Sequence, residues 1–331
     1  MRIVLCYPIA PRHCSQIAAV SSQIEVVDAG QERIASELLA ADVFCGHAKV
    51  PVPWKEVVQQ GRLRWIQSSA AGLDHCLTDE VISSDIVVTS ASGLFADQVA
   101  EQTLALLLGL FRGLPCFFRQ QQRHQFVRRP TRDLHGSAIG IVGFGGNGRR
   151  LAEVLAPLQT RILATDLFPQ DKPAHVDELW PAQRLDDLLA EVDVLILCVP
   201  LNAQTQGMID AASLSRMKPG SVLINVARGP VVVEADLVAA LESNQLAAAG
   251  LDVTETEPLD AASPLWDLPN VLITPHVGAQ SDRRVDDTTE FFCENLRRYL
   301  AGKPLVNLVD KRLGFPRRGS AGATPAEESF S

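Results

Sequence analysis

Three residues in the second half of the chain, Arg228, Glu257 and His276, have side chains that could bind an anion and move a proton. A guanidinium is a planar fork that holds a carboxylate through two hydrogen bonds, which a lysine does not reproduce. An imidazole exchanges its proton near neutral pH. A carboxylate beside that imidazole favours its charged form and fixes its tautomer and orientation. This set therefore predicts acid–base chemistry on a small anionic molecule.

Each of these residues comes shortly after an apolar run that is typical of a buried parallel strand. Open α/β sheets bind their ligands outside the carboxyl ends of the strands, so we expect the three side chains in one cleft. A lone arginine, glutamate or histidine after a strand is more often structural than catalytic, and the prediction therefore depends on their joint placement. The runs are Ser221–Ala227, Ala247–Val253 and Asn270–Pro275.

A second feature is a glycine-rich turn, G-x-G-x-x-G, formed by Gly143, Gly145 and Gly148 between a predicted strand and a predicted helix. These glycines permit a tight turn, the approach of a pyrophosphate and close packing of the helix, whose N-terminus offers amide donors. Asp166 follows eighteen residues after Gly148, where an acidic residue accepts hydrogen bonds from the adenosine ribose. A 2′-phosphate would be repelled there, and residues 167–169 contain no arginine to receive one, so the pattern favours NAD over NADP.

Composition excludes several classes of protein. Hydrophobic residues make up 47% and charged residues 21% of the chain, as in ordinary globular proteins. The net charge of −9 argues against a nucleic-acid partner. The longest apolar stretch, Leu104–Phe111, is well short of the roughly 20 residues that cross a bilayer. The seven cysteines include no C-x-x-C pair, so we expect no disulfide, no metal site and a cytoplasmic location.

The alternation of strand-like and helix-like segments predicts two α/β domains, because 331 residues exceed one ordinary core. We expect residues 1–94 and 286–313 to form one discontinuous domain, which the last amphipathic helix re-enters. Residues 95–285 are expected to form the other domain. The polar stretch Arg119–Asp133 is interpreted as a domain junction. Residues 314–331, rich in Gly, Pro, Ser, Ala and Glu, are expected to be a disordered tail.

Taken in order, the motifs resemble those of the D-isomer-specific 2-hydroxyacid dehydrogenase family, which includes phosphoglycerate, glyoxylate/hydroxypyruvate and D-lactate dehydrogenases. The resemblance covers about residues 40 to 310. It implies an α/β fold of two Rossmann-like domains: an NAD-binding doubly wound parallel sheet and a smaller flavodoxin-like substrate domain. The matching segments are residues 69–74 (SAAGLD), 99–106 (VAEQTLAL), 140–149 (GIVGFGGNGR), 199–202 (VPLN), 225–232 (NVARGPVV), 251–258 (LDVTETEP) and 275–278 (PHVG).

The resemblance also implies a role for individual residues. Arg228 would bind the substrate carboxylate and carbonyl, Glu257 would complete the catalytic dyad, and His276 would be the general acid and base. The backbone amides of Ala71 and Gly72 would hold the substrate carboxylate. Gly146-Asn147 departs from the family's usual Arg-Ile but leaves the three motif glycines in place. The implied cofactor contacts are Gly143, Gly145, Gly146, Asn147, Gly148, Asp166, Val199, Pro200, Ala227, Asp252, which would meet the nicotinamide amide, and Gly278.

The expected activity is thus an NAD-dependent dehydrogenase or reductase that interconverts a small D-2-hydroxy acid and its 2-keto acid. A homodimer is implied by the resemblance. An alternative is a non-catalytic NAD(H)-sensing interaction protein on the same fold. A formate dehydrogenase is a further alternative, but those enzymes carry Gln where this chain has Glu257. His47 stands where some phosphoglycerate-type relatives have a Ser-Arg pair, which makes a phosphorylated substrate less favoured.

Overall fold

Short aliphatic runs form the strands of the first 94 residues in the computed structural model, which describes residues 1–317. Within that range the five strands make one parallel sheet in the order β2-β1-β3-β4-β5, which is the flavodoxin-like order. The strands are β1 (Arg2–Cys6), β2 (Glu25–Asp28), β3 (Val43–Gly46), β4 (Trp65–Ser68) and β5 (Val87–Thr89), and the helices are α1 (Pro11–Ala18), α2 (Gly30–Glu37), α3 (Trp54–Gln60) and α4 (Asp79–Ile82).

A larger parallel sheet follows, in the order β8-β7-β6-β9-β10-β11-β12 as far as the described residues go. The strand order reverses between β6 and β9, which makes the sheet doubly wound and marks its ligand-binding crevice. The helices are α5 (Ala96–Phe111), α6 (Leu114–Gln122), α7 (Gly146–Leu155), α8 (Leu185–Glu191), α9 (Ala211–Arg216) and α10 (Glu234–Glu242), and the strands are β6 (Ala138–Val142), β7 (Arg161–Asp166), β8 (Glu178–Pro181), β9 (Val194–Leu197), β10 (Ser221–Asn225), β11 (Leu246–Leu251) and β12 (Val271–Ile273).

The last described segment contains α11 (Arg284–Leu300) and a short antiparallel pair, β13 (Val309–Asp310) and β14 (Phe315–Pro316). The helix packs on the five-stranded sheet, where the rings of Trp65 and Phe292 lie 5.4 Å apart between centroids. Asn295 Nδ2 also donates to Gln67 Oε1 at 2.9 Å. Single 3₁₀ turns occur at Leu38–Ala40, Ala156–Leu158, Ala182–Arg184, Gly229–Val231 and Pro264–Trp266.

The chain divides into two compact units. Unit 1 contains Met1–Leu94 and the described residues from Ser281 to Arg317, and unit 2 contains Phe95–Gln280. The fold is therefore α/β with two parallel sheets, as the sequence predicted. No helix within residues 1–317 is both long enough and apolar enough to cross a membrane.

Two features of the chain differ from the sequence-based prediction. The stretch Arg119–Asp133 is not a domain junction, because it lies wholly in unit 2 and its first residues belong to α6. Arg132 fastens the stretch to that unit by donating to the Gly220 carbonyl oxygen at 2.8 Å. The predicted disordered tail also begins too early in the sequence, because residues 315–316 form β14, which pairs with β13. The rest of that tail, residues 318–331, lies outside the described residues.

Candidate active site

The predicted site residues of unit 2 lie in the loops at the carboxyl end of its parallel sheet. This is the edge at which open α/β sheets bind ligands. Ala71 and Gly72 are in unit 1, where they follow β4. In unit 2 the order is Gly143, Gly145, Gly146, Asn147 and Gly148 after β6, Asp166 at the end of β7, Val199 and Pro200 after β9, Ala227 and Arg228 after β10, Asp252 and Glu257 after β11, and His276 and Gly278 after β12.

His276 and Glu257 form a direct pair in which Nδ1 of the imidazole lies 2.8 Å from Oε2 of the carboxylate. Their side chains are 44% and 40% exposed, so solvent screens the pair and it contributes little to stability. An imidazole that donates through Nδ1 to an ionised carboxylate exchanges its other proton at Nε2. The arrangement is that of an oriented acid–base group, and it joins two residues separated by nineteen positions in the sequence.

The turn that presents Arg228 is held by the buried side chain of Asn225, the last residue of β10. Its Oδ1 accepts from the Ala227 amide at 3.0 Å, and its Nδ2 donates to the Arg228 carbonyl oxygen at 3.1 Å. Arg228 in turn donates through Nη1 to the Ala227 carbonyl oxygen at 2.7 Å. The backbone on both sides of the guanidinium is therefore fixed by side-chain hydrogen bonds.

Gly229 brings the Arg228 loop against the loop that carries Glu257. A Cβ atom added to Gly229 would lie 1.7 Å from the Thr254 carbonyl oxygen, which leaves no room for any other residue type. The Asp252 amide also donates to the Asn225 carbonyl oxygen at 3.0 Å. The two loops therefore meet through backbone atoms, next to Arg228 on one side and three residues before Glu257 on the other.

The glycine turn after β6 has the shape that a dinucleotide requires. Gly143 has a left-handed φ of +94°, and a Cβ on Gly148 would lie 2.2 Å from the Gly143 carbonyl oxygen. A Cβ on Gly145 would meet nothing within 4 Å, so the turn faces open space where α7 begins at Gly146. Backbone approach and a helix N-terminus are the elements that bind a pyrophosphate, and these residues fit one.

Asp166 is oriented by two backbone amides. Its Oδ2 accepts from Phe144 N at 2.6 Å, and its Oδ1 accepts from Phe168 N at 2.8 Å. Arg149 lies over the Phe144 ring and donates to the carbonyl oxygens of Gln170 and Asp171. The acidic residue and the loop after β7 are thus held in one conformation.

Cys198, which comes right after β9, is not activated as a nucleophile. Desolvation raises the pKa of its thiol to about 12, so the thiolate is scarcely populated. Within residues 1–317, no cluster of three or more His, Cys, Asp or Glu side chains is arranged to hold a metal ion.

Sequence reasoning missed Asn225, Gly229, Thr274 and Gln102 as site residues. Asn225 gave a usable signal, because a polar residue at the end of an otherwise apolar buried run needs hydrogen-bond partners. Gly229 follows Arg228 directly, but nothing in the sequence indicates that its backbone packs against Thr254. The last two side chains meet across 172 positions, with Gln102 Nε2 donating to Thr274 Oγ1 at 2.8 Å. No local pattern could indicate that contact.

Comparison with known proteins gives consistent matches. Residues 104–278 match the family model described as "D-isomer specific 2-hydroxyacid dehydrogenase, NAD binding domain". A hydroxypyruvate reductase from Blautia hydrogenotrophica is 31% identical over 85% of this chain and 88% of its own length. The D-3-phosphoglycerate dehydrogenase of Mycobacterium tuberculosis is 31% identical over 89% of this chain, which spans only 57% of that protein.

The fold is similar to that of solved structures. The D-isomer specific 2-hydroxyacid dehydrogenase from Xanthobacter autotrophicus Py2, solved with NADPH and MES, superposes with a TM-score of 0.81 at 28% identity. The match covers 95% of this chain and 99% of that one, so both units have counterparts there.

Proposed function

Because the chain belongs to the D-isomer-specific 2-hydroxyacid dehydrogenase family, a family of oxidoreductases, we propose that it interconverts a small D-2-hydroxy acid and its 2-keto acid with NAD. The observation that carries the proposal is the pair formed by His276 and Glu257 at 2.8 Å. A protein that only senses a nucleotide has no need of an oriented acid–base pair, so the sensing alternative is not favoured.

In this proposal each residue of unit 2 has a defined chemical task. His276 takes the proton of the substrate hydroxyl at Nε2 during oxidation and returns it during reduction. Glu257 orients the imidazole and stabilises its charged form. Arg228 binds the substrate carboxylate and polarises the carbonyl. The roles of Ala71 and Gly72 in unit 1, whose backbone amides are expected to hold a carboxylate, stay predictions.

The proposed cofactor is NAD, which supplies the hydride acceptor and donor when bound. The turn of Gly143, Gly145 and Gly148 would hold its pyrophosphate, with Gly146 and Asn147 in the first turn of α7. Asp166 would accept hydrogen bonds from the adenosine ribose. The proposed contacts on the nicotinamide side are Val199, Pro200, Ala227, Asp252 and Gly278.

The glycine turn provides a direct test of this assignment. Gly145→Ala should raise the Kd for NADH about tenfold or more, since a methyl group would occupy the open space where the pyrophosphate approaches. The free energy of unfolding should fall by only about 1 kcal/mol, because Gly145 is the N-cap of α7, where alanine is a poorer residue than glycine, and its φ of −75° is negative. Fluorescence titration with NADH and thermal denaturation measure the two quantities.

Gly148→Ala is the matched comparison. Its Cβ would meet a backbone oxygen, and we expect a loss of stability of about 2–3 kcal/mol in the unliganded protein. If Gly145→Ala bound NADH as tightly as the unmodified protein, the pyrophosphate would have to lie elsewhere.

The activity itself is tested with purified protein and a panel that includes glyoxylate, hydroxypyruvate and related 2-keto acids, each with NADH and with NADPH. We expect turnover, with kcat/KM about 10²-fold higher for NADH, because the Asp166 carboxylate repels a 2′-phosphate. Asp166→Ser should narrow that ratio. NADH binding without turnover of any keto acid would favour the sensing alternative, and equal use of NADPH would remove the assigned role of Asp166.

We also propose that the protein is a homodimer that associates through residues 114–133. Phe118 and Val127 are more than half exposed, and Phe126 is 97% exposed, which an isolated chain would leave in water. The double variant Phe118→Glu, Phe126→Glu should halve the mass measured by light scattering after gel filtration. Trp266→Glu, at another half-exposed aromatic residue, should leave it unchanged. A monomeric wild-type protein would contradict the proposal of a homodimer.

The cytoplasmic location of the protein stays a prediction.

A further inference from the structure

We propose that Asp252, Thr274 and Gln102 form a positioning brace that holds the backbone of His276 in the conformation that aims its imidazole at Glu257. We call these three residues the Asp252 brace. The inference rests on the proposed acid–base role of His276. It gives Asp252 a task that is distinct from the nicotinamide contact implied by the family resemblance.

Asp252 collects the hydrogen bonds of the whole loop that carries His276. Its carboxylate is buried, and Oδ1 accepts from Thr274 Oγ1 at 2.6 Å and from Val277 N at 3.0 Å. Oδ2 accepts from Gly278 N at 2.8 Å. The Asp252 carbonyl oxygen accepts from the His276 amide at 2.8 Å. Asp252, which directly follows β11, thus forms hydrogen bonds with residues before, at and after position 276.

The Thr274 hydroxyl links this carboxylate to a helix. A hydroxyl has one proton, and an ionised carboxylate only accepts, so Thr274 must donate to Asp252. Its oxygen then accepts from Gln102 Nε2, which lies on α5 at 2.8 Å. The direction of the hydrogen bonds is fixed from Gln102 to Thr274 to Asp252, and each bond polarises the next.

His276 needs such support because its backbone is in the left-handed region, with φ of +54°. A residue with a Cβ rarely adopts that conformation unless surrounding contacts determine it. The brace supplies those contacts on both sides of the residue. A change of φ at position 276 would swing the imidazole away from the Glu257 carboxylate, which is itself on an exposed loop.

The hydrogen bonds that Asp252 accepts bear on whether it positions the His276 loop or binds the cofactor. A carboxylate has about four acceptor positions, and donors of the chain itself already take three of them. A Cβ on Gly278 would also lie 2.7 Å from Oδ2, so the loop is packed directly on the carboxylate. If Asp252 acts through the loop, loosening the brace lowers kcat. If it acts only by touching the cofactor, loosening the brace raises the Kd for NADH and leaves kcat unchanged.

The test compares Thr274→Val, which removes the hydroxyl and keeps the branched shape, with Thr274→Ser, which keeps the hydroxyl. We expect Thr274→Val to lower kcat about 30-fold, a partial loss of the 10²–10⁴-fold that an aligned general acid–base contributes, with KM and the Kd for NADH changed less than about twofold. Thr274→Ser should recover kcat to within about threefold of wild type. Thr103→Val removes another buried hydroxyl, on α5, and should leave kcat within about twofold.

Hydrogen exchange provides a readout without turnover. The amides of Val277 and Gly278 should exchange about tenfold faster in Thr274→Val and at the wild-type rate in Thr274→Ser. This measurement stays valid if the protein reduces no keto acid, so failure of the proposed function and failure of the brace are distinguishable. Gln102→Leu removes only the outer donor and should produce the same changes on a smaller scale. This variant replaces Thr274→Val in the test if Thr274→Val does not fold.

Three results would overturn the proposal. The first is an unchanged kcat with unchanged amide exchange in Thr274→Val. The second is a higher Kd for NADH at unchanged kcat, which would leave Asp252 with the cofactor contact as its only role. The third is a Thr274→Ser variant as impaired as Thr274→Val, since the hydroxyl would then have no part in the effect.

Discussion

His276→Ala is expected to lower kcat by about 10³-fold, within the 10²–10⁴ that a general acid–base contributes. The variant removes the atom that exchanges the proton of the substrate hydroxyl and leaves the NADH site untouched. The melting temperature should stay nearly the same, because the pair with Glu257 is close to half exposed on both sides. Steady-state kinetics with the preferred keto acid and thermal denaturation give both values.

Glu257→Gln refines this result. The amide keeps the size of the carboxylate but cannot stabilise an imidazolium, so we expect a loss of about 10²-fold in kcat. His135→Ala is the matched control, because that exposed histidine precedes β6 at the amino end of the sheet. A His276→Ala enzyme that turned over at the wild-type rate would remove the acid–base role on which the proposed function depends.

Arg228→Lys is expected to reduce kcat/KM for the keto acid by about 10²-fold, mainly through KM. The substitution keeps the charge but loses the planar fork, and one charge-assisted hydrogen bond lost from a carboxylate is worth about 1.5–3 kcal/mol. The turn that presents the residue would persist, since Asn225 holds it through the backbone of residues 227 and 228. The Kd for NADH should therefore change little.

Arg216→Lys serves as the control, because that exposed arginine is paired with Asp186 and precedes the amino end of β10, whereas Arg228 follows the carboxyl end. It should retain kcat/KM within about twofold. An Arg228→Lys enzyme with unaltered KM would show that the guanidinium does not bind the substrate carboxylate.

The strands that carry the candidate site could be predicted because buried parallel strands have continuous apolar sequences. That pattern placed Arg228 after β10 and His276 after β12, and the glycine turn after β6 followed from its flanking elements. Strand β8 was missed. It has only four residues, one of them buried, and it ends in Pro181 at the edge of the sheet, where proline is tolerated.

The internal geometry of the site could not be predicted in the same way. The left-handed backbone of His276 and the contact of Gly229 with the Thr254 carbonyl oxygen depend on how loops from different strands pack. Helix α6 was hidden because its second half, residues 119–122, is polar, although Gly113 and Pro115 mark its start after α5. Local patterns report a residue's own element, whereas these features depend on partners that are distant in the chain.

The return of α11 to the five-stranded sheet has a consequence for biosynthesis. Ile3, Leu5 and Trp65 emerge early from the ribosome, but Phe292 and Leu296, which cover them, are made more than 220 residues after Trp65. Since translation adds about 5–20 residues per second, that apolar surface stays uncovered for roughly ten seconds or longer. All the strands of unit 2 are synthesised before α11. The nascent chain must therefore keep the apolar face of the five-stranded sheet protected while unit 2 folds.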